Sequence, residues 1–216
     1  MEAKTQQLAT LRVEINRLQE RMHMLKAKLL MRFIEAGMQR SNILAAYWHL
    51  FRFGMAEPTG RHYSQQLEFV QTHMCADMYV NGIPGSEQLL DQWKLCQQLL
   101  PGLDAPNLKI QVFGAEQDCI VSSGIVYVHF SREAIAMIFP RLLAREDLVQ
   151  LIIQRPAALP LRVSCHFDLK NQVQSMEVDI NIFEGLRQSI ASQVNVYEFY
   201  EALEDQFLPL HYEIFF

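Results

Sequence analysis

What this chain has little of narrows its biology before any motif is read. No apolar run among its 216 residues approaches the roughly 18 needed to cross a bilayer. Nor does a basic stub lead into an apolar stretch at the N-terminus, so neither a membrane span nor a signal peptide is expected. Cysteine is sparse: Cys75, Cys96, Cys119 and Cys165 stand without paired spacing, and a chain this long needs no disulfide staples to hold a core. Free thiols in a reducing compartment, nuclear or cytoplasmic, are the expectation. His73 and Cys75 lie close together, yet no second ligand pair follows at metal spacing. A glycine-rich phosphate loop and a Gly-x-Ser-x-Gly elbow are both missing, so no metal and no cofactor are expected.

Positive charge is scarce outside one region. The formal net charge is −5, and residues 1–34 hold seven Lys and Arg against three Asp and Glu, which leaves +4 there and −9 on the remainder. The body is thus no evident nucleic-acid surface. Half of the residues are hydrophobic, enough for a sizeable core, and the length fits one domain with an extension or two small domains.

What is present begins with a heptad repeat, and residues 4–32 read as a short coiled-coil dimerisation helix. With Leu8 at position a, Leu8, Ile15, Met22 and Leu29 occupy a, while Leu11, Leu18 and Leu25 occupy d. Alternating steps of three and four lay one stripe along a helix, best buried by a second helix supercoiled against it. The stripe ends at Arg32, the next d. Glu14, Asn16, Arg17, Gln19, Glu20 and Arg21 leave mainly that strip apolar, whereas a helix docked on its own domain usually shows a wider face. Val13, Met24, Leu30 and Met31 lie off the strip and favour the competing reading, an amphipathic helix packed on its own globule.

Each seam residue contributes roughly 1.5 to 3 kcal/mol when fully buried, before ordering costs, so seven of them support a short dimer. In a parallel homodimer Arg21 at g would oppose Lys26 at the following e′, and Glu14 would meet only Gln19. The flanks therefore favour an acidic heteropartner, or a homodimer helped by the downstream domain. Without a buried Asn at a, the oligomeric state is weakly specified.

A leucine-spaced helix at the start of a chain resembles the basic-leucine-zipper family, whose basic extensions grip the DNA major groove. Here only Met1 to Gln7 precede Leu8, with a single Lys4 and no Asn/Arg-rich pattern. Further matches follow in order: Ala45 to Gly54 (AAYWHLFRFG), Met74-Cys75-Ala76-Asp77, Asn81-Gly82 with Pro84-Gly85, Leu89-Leu90-Asp91-Gln92-Trp93, Ile138-Phe139-Pro140 and a late strand around Phe167-Asp168. Spread over most of residues 8–183, they are similar to an oomycete-type expansion of these regulators. The resemblance implies a dimerising regulator that pairs as a homodimer or heterodimer with zipper proteins and meets DNA only indirectly. The absent basic stretch fits either a naturally truncated zipper partner or a start that lies further upstream.

The body reads as α+β. Gly37 and Ser41-Asn42 mark a break, dividing a zipper-like helix at 1–36 from a domain at 41–216. Ile43, Leu44, Tyr47, Trp48, Leu50 and Phe51 then recur at helical spacing. Ser64 is positioned to cap a helix with Leu67, Val70 and Met74 on one face, Met78 to Val80 reads as a short strand, and Ser86 is a plausible cap for a helix ending at Pro101-Gly102. Three helices thus precede the main sheet. Beyond Pro106 the period becomes two, through Leu108, Ile110 and Val112 and on from Cys119 to Phe130. Ser131 opens a short helix, and Glu146 to Gln154 is helical.

Two last strands, Leu161 to Asp168 and Val173 to Ile182, form a hairpin with a two-residue turn at Lys170-Asn171, pairing Asp168 with Val173, Ser164 with Glu177 and Arg162 with Asp179. Leu161, Val163, Cys165, Phe167, Met176, Val178 and Ile180 then share the face that covers the helices. Helices followed by a curved antiparallel sheet resemble the cone-shaped nuclear-transport-factor-2-like fold, which hosts isomerases, dehydratases and pure binding modules. A C-terminal helix is expected from Val196 to Phe207, and Leu210 to Phe216 is largely apolar.

Catalysis in such a cone needs a carboxylate or a paired histidine of tuned pKa near the cavity. His73, Asp77 and Tyr79 are the candidates, with Asp77 and Tyr79 on one face of a strand, but a solvated strand end explains them as well, and no catalytic residue is assigned. Tyr47, Trp48, Phe51 and Trp93 are the residues for a ligand pocket, set against plain core. The rival to the regulator reading is therefore a small-molecule enzyme of isomerase or dehydratase type, or an apolar-ligand binder, in which the helix merely assembles a homodimer.

Overall fold

The computed structural model describes residues 2–190, so the expected helix at Val196 to Phe207 and the apolar end after it lie outside the described residues. The first element is one helix, α1 (Glu2–Leu50), unbroken for 49 residues. The break expected at Gly37 and Ser41-Asn42 is absent. Ser41 turns its hydroxyl back to the Gly37 carbonyl at 2.8 Å inside the helix, and Gly37 itself is buried where α1 passes close to Gln117. A Cβ at Gly37 would collide with that glutamine, so here the glycine serves close packing, and packing overrides helix propensity. The step from extension to body consequently falls within a helix: side chains are exposed through Arg32, and burial sets in from Gly37.

After α1 come α2 (Arg61–His73), β1 (Met74–Val80), β2 (Ile83–Pro84), α3 (Ser86–Leu99), β3 (Lys109–Phe113) and β4 (Cys119–Val128). There follow α4 (Arg132–Ile138), a 3-10 turn (Pro140–Ala144), α5 (Glu146–Ile153), β5 (Ala157–Phe167), β6 (Val173–Ile180) and α6 (Ile182–Ile190). Ser131 caps α4 as its sequence predicts, accepting the Ala134 N–H at 3.0 Å. Ser64 and Ser86 do not cap: α2 starts at Arg61 after Gly60, and Ser86 is already the first helical residue after Gly85, whose φ of 112° suits glycine. Met74 likewise leaves the helix face expected for it and opens β1.

The six strands form one sheet in the order β2-β1-β6-β5-β4-β3. It is mixed rather than antiparallel, because β1 and β6 run parallel. Nearly the whole domain separates these two strands in sequence, so no hairpin imposes opposite directions on them. β1 and β2 also precede α3, which corrects the expectation of three helices before the sheet. Along the β5–β6 hairpin the expected register is present at Arg162 with Asp179 and Ser164 with Glu177, then shifts beyond His166 so that Phe167 faces Val173. The turn is therefore one residue longer than expected. Asn171 takes a φ of 61°, and the Asp168 carboxylate accepts the N–H groups of Lys170 and Gln172, both at 2.8 Å, a three-residue connection with a bulge.

Leu161, Val163, Cys165, Phe167 and Met176 are buried, with Val178 and Ile180 half-buried beside them, while Arg162, His166, Glu177 and Asp179 face solvent. The apolar face meets the helices, with the end of α1 on β3 and β4 and α3 on β1. A curved sheet closed on one side by helices is the cone-shaped nuclear-transport-factor-2-like arrangement, here with a long helix projecting from it.

Two buried polar side chains fasten α1 to this body. The Arg40 guanidinium donates from Nε to Asn171 Oδ1 at 2.8 Å, from Nη1 to the carbonyls of Glu116 (3.0 Å) and Gln117 (2.8 Å), and from Nη2 to the Asp168 carbonyl at 3.2 Å. One planar fork thus joins α1 to the turns of both hairpins. Gln66 accepts the Ala56 N–H at 2.8 Å and donates to the carbonyls of Leu50 (2.8 Å) and Gly54 (2.9 Å), fixing the loop that leaves α1.

Candidate functional site

The heptad residues occupy the projecting part of α1. At 1.5 Å per residue, the stretch from Glu2 to Arg32 extends roughly 45 Å. Leu8, Leu11, Ile15, Leu18, Met22, Leu25 and Leu29 are each 43–62 % exposed. Val13, Met24, Leu30 and Met31, the off-strip residues that favoured docking on the chain's own globule, are exposed as well. Monomeric soluble proteins rarely expose contiguous apolar surface on this scale. A shallow groove runs along the seam between Leu18, Met22, Leu25 and Leu29, edged by Arg21 and Lys26.

A second feature lies in the body, a cavity of about 80 Å³ between α1, α3 and the sheet. Tyr47, Trp48 and Trp93 line it together with Leu89, Cys96 and Leu100, and Leu161, Val163, Met176, Val178 and Ile180 form the hairpin's wall. Phe51, the fourth residue expected at a pocket, is instead fully buried and stacks on Trp93 with ring centroids 5.5 Å apart. The tryptophan N–H groups are already used: Trp93 Nε1 donates to the Tyr47 hydroxyl at 2.7 Å, and Trp48 Nε1 to Ser122 Oγ at 2.9 Å. Sequence reasoning missed Gln92 and Cys96 as lining residues. Their helical offset from Leu89 and Trp93 would have placed them, had the face of α3 toward the sheet been known.

The chemistry of this cavity is that of an apolar container. Burial pushes the Tyr47 phenol well above its ordinary value and the Cys96 thiol up to about 12, so both stay neutral. Among the described residues no carboxylate or imidazole lines the walls. His73 sits at the end of α2 against the Phe69 ring, 4.7 Å between centroids, where burial lowers its pKa. Asp77 and Tyr79 do share a face of β1, and it is the exposed one, while Met78 and Val80 point into the core. The structure therefore does not bring these three residues to the cavity. Among the described residues no group of three or more His, Cys, Asp or Glu side chains is placed to hold a metal, and no helix is long and apolar enough to cross a membrane.

Residues 41–99 match the family model described as the BZIP transcription factor 1 C-terminal domain. That stretch runs from the buried end of α1 through α3, contains all four aromatic residues expected at a pocket, and relates this part of the chain to bZIP transcription factors. No curated protein matches the chain. Among solved structures it is similar to a SnoaL-like polyketide cyclase from Agrobacterium tumefaciens at 12% identity, covering 70% of this chain and 97% of the other with a TM-score of 0.45. It is also similar to a phenazine biosynthesis-related protein from Pseudomonas aeruginosa (10% identity, 75% and 86% coverage, TM-score 0.46) and to an LEH-like epoxide hydrolase from M. tuberculosis (10%, 72% and 94%, 0.42).

Proposed function

We propose that this chain is a dimerising, transcription-regulator-like protein that pairs through its N-terminal zipper and influences DNA binding through its partners. The observation that carries this reading is the exposure of all seven seam residues on a helix whose other end is locked into the body. A helix docked on its own globule would bury such a stripe. Burying it against a second helix removes seven large apolar side chains from water, each contributing roughly 1.5 to 3 kcal/mol before ordering costs. The match of residues 41–99 to a bZIP-associated domain supports the same assignment.

Affinity capture from nuclear extract, compared between the chain and a Leu18→Asp/Leu25→Asp variant, tests the proposal. Zipper proteins should be recovered with the first and lost with the second. A chain that sediments as a monomer at high concentration and captures no zipper protein refutes it.

The cavity favours one alternative, a module that binds a small apolar ligand, over the enzyme reading, because among the described residues no acid or base reaches its walls. Its volume of about 80 Å³ is roughly half that of a cavity known to hold benzene. Trp48 and Trp93 are the chain's two tryptophans, so a change in their emission on titrating small aromatic compounds would report occupancy, and its absence would count against this alternative.

A further inference from the structure

The pairing reading fixes a seam but not what covers it, and the charges along the seam's edges discriminate. With Leu8 at a, the g positions are Gln7, Glu14, Arg21 and Lys28, the e positions are Arg12, Gln19, Lys26 and Phe33, and Arg32 stands at d. Side chains 4–32 are all exposed, and Phe33 is the first to turn toward the body. Among the described residues none of Arg12, Arg21, Lys26, Lys28 and Arg32 has an ion-pair partner, although Glu14 and Glu20 lie on the same helix. The cationic edges are therefore available to whatever packs on the seam.

A second copy fits them poorly in either direction. In a parallel pair each g residue faces the e′ residue five positions on, giving Gln7 with Arg12, Glu14 with Gln19, Arg21 with Lys26 and Lys28 with Phe33. No contact is attractive, the Arg21–Lys26 repulsion occurs twice by symmetry, and Arg32 meets its own copy in the d layer. An antiparallel pair that keeps the apolar layers matched sets Leu11 on Leu29, Ile15 on Leu25 and Leu18 on Met22. It gains Glu14 against Lys28 twice, but it brings Arg21 onto Arg21 and Arg12 onto Lys26 twice, so like charges outnumber the attractive contacts.

Resting on the pairing reading, we propose that the zipper is shaped for a different chain: a parallel helix with aliphatic a and d residues and carboxylates at the e′ and g′ positions facing Arg12, Arg21, Lys26 and Lys28. Opposite Arg32 that helix carries a carboxylate or has ended. Carboxylates there convert every repulsive edge contact into an attractive one, whereas self-pairing leaves them unrelieved. Specificity arises from the penalty on the wrong partner as much as from the gain on the right one.

The test uses the full chain and two synthetic peptides. One copies residues 1–36, and the other carries Gln7→Glu, Arg21→Glu, Lys26→Glu, Phe33→Glu and Arg32→Leu in the same stretch, which sets carboxylates opposite Arg12, Lys26, Arg21 and Lys28. The acidic peptide is expected to bind at least about tenfold more tightly than the copy, since the Arg21–Lys26 repulsion becomes attraction on both edges while Arg12 and Lys28 each gain a carboxylate. That advantage should shrink as salt rises from about 0.05 to 0.5 M. In the full chain, Arg21→Glu should strengthen self-association by about tenfold, because a carboxylate then faces Lys26 in both copies, and should reduce the preference for the acidic peptide.

Self-association tighter than acidic-peptide binding would overturn the inference and leave the zipper reading standing. Binding of the acidic peptide only after Glu198→Gln, Glu201→Gln and Glu204→Gln would also overturn it, since the chain's own acidic C-terminal stretch would then be the occupant. A monomeric chain that takes neither peptide sinks the inference and the zipper reading together.

Discussion

Replacing Arg40 with leucine tests how the projecting helix is anchored. Arg40 is 5 % exposed, and its fork supplies four donor contacts, to Asn171 Oδ1 and to the carbonyls of Glu116, Gln117 and Asp168, at 2.8 to 3.2 Å. Leucine retains part of the apolar stem but leaves those acceptors without a donor. Hydrogen bonds to charged groups contribute roughly 1.5 to 3 kcal/mol each, yet carbonyls at hairpin turns recover some water, so the sum falls well short of four full bonds. The expected loss is about 3 kcal/mol, which for a urea m-value of about 2 kcal/mol per molar moves the unfolding midpoint by about 1.5 M. Tryptophan fluorescence in urea measures it, in a Leu18→Asp/Leu25→Asp background so that association does not contribute. Arg40→Lys keeps the charge but cannot reproduce the planar fork, and it should recover less than half of the loss. A leucine variant within about 0.5 kcal/mol of the parent, or a lysine variant that restores it fully, would refute the clamp, because that is the range of an ordinary surface substitution.

Three further outcomes follow from other contacts. Gln66→Leu leaves the Ala56 N–H and the carbonyls of Leu50 and Gly54 unpaired in the interior and should cost roughly 3 kcal/mol, a Tm decrease of about 6 to 12 °C in a calorimetric scan. Tyr47→Phe removes the acceptor of the Trp93 N–H and should cost about 1 to 2 kcal/mol with a change in near-ultraviolet dichroism, while the secondary structure stays intact. Arg132, then Gln150, hold the Glu146 carboxyl down to about 2. A carboxyl whose pKa is lower in the folded state adds stability above its unfolded pKa of about 4.3 and loses it as pH falls toward the folded value. Glu146→Gln should therefore destabilise the chain at neutral pH, and its gap from the parent in urea midpoint should close between about pH 4.5 and 2. A gap that widens on acidification would contradict the assignment.

Several features were legible in the sequence because they depend on local periodicity. Steps of three and four placed Leu8 through Leu29 on one stripe, and alternation separated Val163, Cys165 and Met176 from Arg162, His166 and Glu177. Ser131 could be read as a cap because its partner lies three residues away. The apolar character of the cavity followed from the same alternation, since one face of the β5–β6 hairpin supplies its wall.

What sequence alone determined about this protein is thus the pattern of faces: a seam along one helix, a core face on each strand, and charge at the edges of the seam. Tertiary structure alone decided where α1 becomes part of the body. Gly37 and Ser41-Asn42 signal a break locally, but close approach to Gln117 and the reach of Arg40 to two distant hairpin turns keep the helix intact. It also decided that β1 runs parallel to β6, that Phe51 is sealed while Gln92 and Cys96 reach the cavity, and that the seam stays in solvent. Each of these outcomes depends on residues far apart in the chain, whereas periodicity records only which side of an element is apolar and not what will cover it.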